Sequence, residues 1–153
     1  MKTIQSFTVD HDFIDPGMYI SRIDGDITTY DMRTRKPNAS DYMDNLTMHS
    51  LEHMFATYIR NSAIGERVIY FGPMGCRTGF YLLVRDVDRE VVLAETKKAL
   101  SDIVSHTGQM FGAERKQCGN FRGLSLKAAQ AEAARYLDVL NNTKTDFEYK
   151  AVL

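Results

Sequence analysis

Apolar positions follow two different rhythms along the chain. Residues 18 to 23, MYISRI, and 26 to 32, DITTYDM, mix β-branched and aromatic residues with polar ones around Asp24-Gly25, a pattern that predicts a tight β-hairpin. RVIYF at 67 to 71 and GFYLLVRDV at 79 to 87 predict two further strands joined by the turn GPMGCRT. From Asn45 to Asn61, after a break at Pro37, the period becomes helical: at about 100° per residue Leu51, Met54, Phe55, Tyr58 and Ile59 share one side. A second helix is expected after an N-cap at Asp88, ending near Gly108, with Val92, Ala99 and Ile103 facing inward. A third should start after Ser125 and reach Asn141, with Leu126, Ala129, Ala133, Leu137 and Leu140 along one side. Residues 109 to 124 between them carry no period. Antiparallel strands with helices packed mainly on one face imply an α+β fold, in one domain spanning residues 1–153. The C-terminal TKTDFEYKAVL alternates enough to suggest a short strand or a packed tail.

Composition narrows the class of partner. Nineteen Lys and Arg against 20 Asp and Glu give a formal charge of −1, which offers no electrostatic footprint for a nucleic-acid backbone or an anionic membrane. The expected partner is therefore a small molecule or another protein. No apolar run is long enough to cross a bilayer, and MKTIQSFTVDHDF lacks the apolar stretch of a secretion signal, so a cytoplasmic location is expected. In that reducing setting Cys76 and Cys118 are read as free thiols or metal ligands rather than a disulfide.

Candidate chemistry lies on the polar side of the first helix. His49, Glu52, His53 and Ala56 cluster opposite its apolar stripe, which stacks the two imidazoles one turn apart with a carboxylate beside them and a small residue leaving room. A solvated face with two coincidental histidines is the plain alternative; the added carboxylate and alanine favour a metal site in which Glu52 handles protons. A third ligand is needed, and Cys118 in KQCGN, His11, His106 and the acidic residues are the candidates. Cys118 sits beside Gly119 in the irregular segment, where its sulfur could reach another element, although a lone cysteine is also a common buried apolar residue. Two histidines and one thiolate would leave a tetrahedral position open for chemistry. Cys76, in PMGCRTG, is either a reactive thiol on a tight turn with Arg77 near it or a small filler at a strand start.

Taken together, SFTVDH at 6 to 11, YDMR followed by PN at 30 to 38, HSLEH at 49 to 53, PMGCRTGFY at 73 to 81 and QCG at 117 to 119 resemble the S-ribosylhomocysteine lyase, or LuxS, family. Their order and separations match from about residue 4 to 140. The resemblance implies a cytoplasmic bacterial homodimer with active sites at the subunit interface and one divalent metal per subunit. Iron(II) is the expected ion, with zinc or cobalt able to substitute. By motif position it implies His49, His53 and Cys118 as ligands, Glu52 and Cys76 as the proton-transfer groups, and Ser6, His11 and Arg33 as substrate-pocket residues. The implied reaction cleaves S-ribosylhomocysteine to homocysteine and 4,5-dihydroxy-2,3-pentanedione, the precursor of autoinducer-2, linking the activated methyl cycle to quorum sensing. Read without the resemblance, Ser6 and His11 are strand-end polar groups and Arg33 a member of a surface ion pair.

One motif departs from the family pattern. Many relatives read D-x-S-P-M-G-C, whereas this chain has Tyr70 and Gly72 at the aspartate and serine positions. A pocket carboxylate is thus expected to be missing while the metal and proton-transfer residues remain. Two rival readings follow from the same residues. H-x-x-E-H also marks inverted zincins, metallopeptidases that use the glutamate to activate water. A metal-stabilised binding module without catalysis is the other.

Overall fold

The computed structural model describes all residues, 1–153. Four strands, β1 (Gly17–Asp24), β2 (Ile27–Arg33), β3 (Val68–Pro73) and β4 (Gly79–Arg85), form one antiparallel sheet in the order β1-β2-β4-β3. Three helices complete the α+β architecture: α1 (Asn45–Arg60), α2 (Arg89–Val104) and α3 (Leu126–Asn142). The hairpin expected around Asp24-Gly25 forms one residue later. Asp24 pairs with Ile27, so Gly25 and Asp26 make the turn, and Gly25 takes φ +62°, the left-handed region where a Cβ would be strained.

Strand register explains how one sheet separates core from chemistry. Met18 lies opposite Met32, Met32 opposite Phe80 and Phe80 opposite Pro73; the next inner row runs Ile20, Tyr30, Leu82, Phe71. These side chains meet Leu51, Met54, Phe55 and Ile59 of α1 in a single core. Phe55 and Phe71 have ring centroids 4.5 Å apart, and Phe71 stacks on Phe80 at 5.0 Å. Each such fully buried side chain stabilises the fold by about 1.5–3 kcal/mol. The alternate residues, including Tyr19, Asp31, Arg33, Tyr70 and Tyr81, face the other side of the sheet, away from the helices.

The helical patterns hold with informative exceptions. On α2, Val92, Thr96, Ala99, Leu100 and Ile103 are buried, and Asp88 does precede the helix, but its side chain makes no capping bond. On α3, Ala129, Ala133 and Leu140 are buried as expected, joined by Tyr136 and by Glu132, while Leu126 and Leu137 are half-buried. Burial of Glu132 is compensated by Arg35, which donates from Nε at 3.0 Å and Nη2 at 2.7 Å. Helix α3 packs on both other helices and reaches β1, while α1 packs on α2, α3 and β3.

Helix α1 starts where Asp44 accepts a hydrogen bond from the Thr47 N–H at 2.7 Å. That contact lowers the Asp44 pKa, the Thr47 hydrogen bonds being its leading causes. A depressed carboxylate pKa contributes stability above the unfolded-state value and loses it as pH falls through the folded one. Asp44→Ala is therefore expected to cost about 1 kcal/mol at neutral pH in urea denaturation, the usual value of such a cap, and the difference should vanish in acid once Asp44 is protonated.

Candidate metal centre and thiol site

Helix geometry brings the first two donors together. His49 and His53, one turn apart on α1, have ring centroids 4.6 Å apart with planes near perpendicular, at 89°. The third donor arrives from the irregular 109–124 segment. Its end is tied to α1 by Ser50, whose buried Oγ accepts from the Ser125 N–H at 2.8 Å, while Ser125 caps α3 through Ala128 N. Short turns then present the sulfur: Cys118 N–H donates to Glu114 O at 3.1 Å, and Asn120 N–H donates to Cys118 Sγ at 3.3 Å. The ligand atoms of His49, His53 and Cys118 all lie within 4.8 Å of one another.

This donor set fits a metal on its own chemistry. His49 Nδ1 lies 2.8 Å from Gly123 O and His53 Nδ1 3.0 Å from Phe111 O. A carbonyl oxygen only accepts, so both Nδ1 atoms carry a proton, and in the neutral ring this leaves each Nε2 lone pair bare for a metal. Cys118 Sγ stands 3.4 Å from His49 Nε2. Tetrahedral ligation at ordinary bond lengths puts donors roughly 3.3–3.8 Å apart, so this spacing suits one ion shared by both residues. Glu52 joins His49, Pro73 and Asn120 in lining an open cleft of about 400 Å³ beside the trio.

The other candidate third ligands are engaged elsewhere. His106 accepts from the Tyr58 hydroxyl at 2.7 Å through Nδ1 and donates to Gln109 O through Nε2. His11 donates from Nδ1 to Val9 O at 2.9 Å, in the N-terminal segment. Cys76 and Cys118 are both free thiols, so no disulfide joins them.

Cys76 occupies the β3–β4 turn and is exposed. Its neighbour is not the one that sequence proximity suggested. Arg77, at φ +61°, turns its guanidinium to Met43 O and over the Tyr42 ring. Arg33 comes instead, with Nη1 3.9 Å from Cys76 Sγ and 2.8 Å from Thr78 Oγ1, which itself lies 3.0 Å from the sulfur. Nor is Arg33 in a surface ion pair: it is 2% exposed and grips Asp31, itself 1% exposed, through Nε and Nη2 at 3.1 and 2.6 Å. Burial is the largest influence against its charge, yet Asp31 and the groups around it prevail and hold its pKa above the ordinary value. Register sets Arg33 opposite Gly17 on β1 and Gly79 on β4. A side chain at Gly79 would run into the β2 backbone, 2.6 Å from Met32 O.

Ser6 lies further along the outer sheet face, where it lines an open cleft of about 420 Å³ with Tyr70, Tyr81 and Thr29. Tyr70 and Gly72 are physically coupled there, because a Cβ at Gly72 would collide with the Tyr70 hydroxyl. The groups missed from sequence are mostly partners of the named ones. Thr78, two residues after Cys76, and Asp31, two before Arg33, were in reach of pattern reading; the Gly123 and Phe111 carbonyls have no residue-type signature.

Such a site defines a small α+β protein with a His-His-Cys group whose donor atoms could share one metal ion. The chain belongs to the S-ribosylhomocysteinase (LuxS) family, whose model matches residues 4–147. It is 40% identical over 152 residues to an S-ribosylhomocysteine lyase of Borreliella burgdorferi (strain ZS7), covering 95% of this chain and 97% of that one. The protein of the same name from Finegoldia magna is 41% identical over 151 residues, covering 95% and 96%. That from Desulfotalea psychrophila is 39% identical over 149 residues, covering 93% and 94%.

Gly112 supplies a sharp check on the metal centre. At φ +66°, with an added Cβ 2.7 Å from His53 Nδ1, it allows no side chain without displacing that ring from Phe111 O. Gly112→Ala is expected to weaken zinc binding about 10–100-fold, the usual effect of losing a group that orients a ligand, as read by chelator competition.

Proposed function

We propose that the protein is a metal-dependent lyase that converts S-ribosylhomocysteine to homocysteine and 4,5-dihydroxy-2,3-pentanedione. The observation that carries this reading is the trio of His49, His53 and Cys118 with both Nδ1 atoms tied to carbonyls, beside the cleft that Glu52 lines. Kinship with named lyases over nearly the whole chain supports the substrate.

A thioether is a poor leaving group on an unactivated sugar. It leaves readily only when it sits β to a carbonyl, so the carbonyl must migrate from C1 to C3 before the C4 proton is acidic enough to remove and sulfur can depart from C5. No co-reactant is consumed, because the two products together contain every atom of the substrate. When bound by His49, His53 and Cys118, a divalent ion supplies Lewis acidity, favouring negative charge on sugar oxygens without a redox change. The protein's part is to move protons. Glu52 takes a proton from one carbon and returns it to a neighbouring carbon or oxygen, and Cys76 does the same at another step. Arg33, 3.9 Å from the sulfur, places a fixed positive charge beside Cys76 in its anionic form. Ser6 and His11 bind hydroxyl or amino-acid groups of the substrate. With Tyr70 where relatives carry aspartate, that end of the pocket offers a neutral phenol.

The assembly is a cytoplasmic homodimer with iron(II) as the resident ion and zinc or cobalt as substitutes, and its product serves signalling as the autoinducer-2 precursor. Exposed Ile4, Phe7, Phe13 and Tyr70 support a subunit interface formed by the N-terminal segment and the outer sheet face. No helix is long and apolar enough to cross a membrane.

Homocysteine release, followed with a thiol reagent on anaerobically purified enzyme, tests the reaction. Cys76→Ala and Glu52→Gln should each lower kcat by about 10²–10⁴-fold with metal content unchanged, whereas Cys118→Ala should lose both metal and activity. Peptide hydrolysis that survives Cys76→Ala would replace this reading with a metallopeptidase. Sedimentation should give a species of about twice 17.4 kDa, and a monomer at assay concentration would remove the dimer from the account.

A further inference from the structure

The last residues of the chain extend past the family match, which ends at 147. They follow Phe147 from the free edge of β1 to the N-terminal segment, with Tyr149 against the outer sheet face. Phe147, 2% exposed, bridges in parallel to Tyr19; Val152 pairs antiparallel with Val9; and Asp10 N–H donates to Ala151 O at 3.2 Å. Between these anchors the Tyr149 ring stacks on Tyr19, with centroids 5.0 Å apart and 11° between planes. Its hydroxyl donates to Asp31 Oδ2 at 2.7 Å, the same oxygen that accepts from Arg33 Nη2 at 2.6 Å.

Packing alone does not require that hydroxyl. The stack on Tyr19 and the burial of Phe147 hold the tail whether or not position 149 carries an oxygen. What the O–H changes is the carboxylate. A donor on Oδ2 disperses part of the Asp31 charge and fixes its plane, so Asp31 cancels less of the Arg33 charge on the side where Nη1 faces Cys76. Water does not screen the effect, since both members of the pair are buried. Burial first, and the Asp31 charge after it, raise the Tyr149 pKa well above that of an ordinary phenol, so the proton stays in place and the donor persists at every working pH.

We propose that Tyr149 is a positioning residue for the reaction, holding Asp31 and through it the orientation and field of Arg33 at Cys76, so that the C-terminal tail is a working part of the site. This inference rests on the reading of Cys76 as a proton-transfer thiol.

Tyr149→Phe in the metal-loaded, full-length enzyme tests it, because it keeps the ring and removes only the donor. Two readouts are needed: kcat and KM for homocysteine release, and the ratio of alkylation rates at Cys76 by anionic iodoacetate and neutral iodoacetamide, resolved by peptide mass spectrometry. That ratio reports the local positive field. We expect kcat to fall about three- to tenfold with KM held within about twofold, and the iodoacetate-to-iodoacetamide ratio to fall about two- to fivefold. Wild-type kcat and ratio in the folded variant would overturn the proposal, as would a loss of thermal stability with the ratio unchanged. Lys150→Ala, which breaks the tail's 2.6 Å contact with Asp15 and leaves Asp31 alone, should not move the ratio; an equal fall there would make tail packing the cause and sink the role of the phenol. Cys76→Ala separates the two readings. Homocysteine release surviving in that variant removes the thiol from the mechanism, whereas its loss beside an unaffected Tyr149→Phe removes only Tyr149.

Discussion

An imidazole has two nitrogens, and a metal site works only if the correct one is bare. In this protein that choice is made by two backbone carbonyls, Gly123 O and Phe111 O, each taking the Nδ1 proton of one histidine on α1. The rest of the architecture serves to bring those carbonyls to that helix. The bond between Ser50 and the Ser125 N–H fastens the start of α3 against α1, and the 109–124 segment is strung between α2 and that fastening. A segment without regular structure is thus anchored at its end, and the same anchoring brings Cys118 to the histidines.

The sheet divides its labour by parity. Odd and even positions on β2 differ in kind: Tyr30 and Met32 enter the core, while Asp31 and Arg33 form a buried ion pair on the opposite face. A buried pair of this sort contributes little net stability compared with apolar residues, since both charges must give up water. Its value lies in direction. Three of the Arg33 nitrogens are committed to Asp31 and Thr78, which leaves the guanidinium no freedom to follow the sulfur of Cys76 and makes the charge beside that thiol a fixed feature.

The fold was readable because its elements are cleanly periodic. The inward face of α1 and the sharing of one helical turn by His49 and His53 emerge from spacing, and the four strands and the cap at Ser125 from residue type and turn signals. Polar residues inside the structure were not readable. Arg33 looks like a surface charge until its buried pairing with Asp31 and its bond to Thr78 are seen, and Ser50 and Glu132 are polar residues buried on helices. Arg77 was the nearer cation to Cys76 in sequence, but its left-handed backbone points it elsewhere. Sequence distance says little about which charge reaches a turn; strand pairing, which sets residue 33 against residue 79, decides it. The carbonyls that orient the ligands belong to backbone and carry no letter of their own.

Tyr70 and Gly72 form one steric unit on the outer sheet face. The phenol lies over the bare Cα of Gly72, so a side chain placed there would meet the hydroxyl, and the half-exposed ring would have to swing outward to admit it. The contour of that wall is therefore set by two positions at once: whatever stands at 72 aims the ring at 70, and a molecule lying in the cleft meets the result of both.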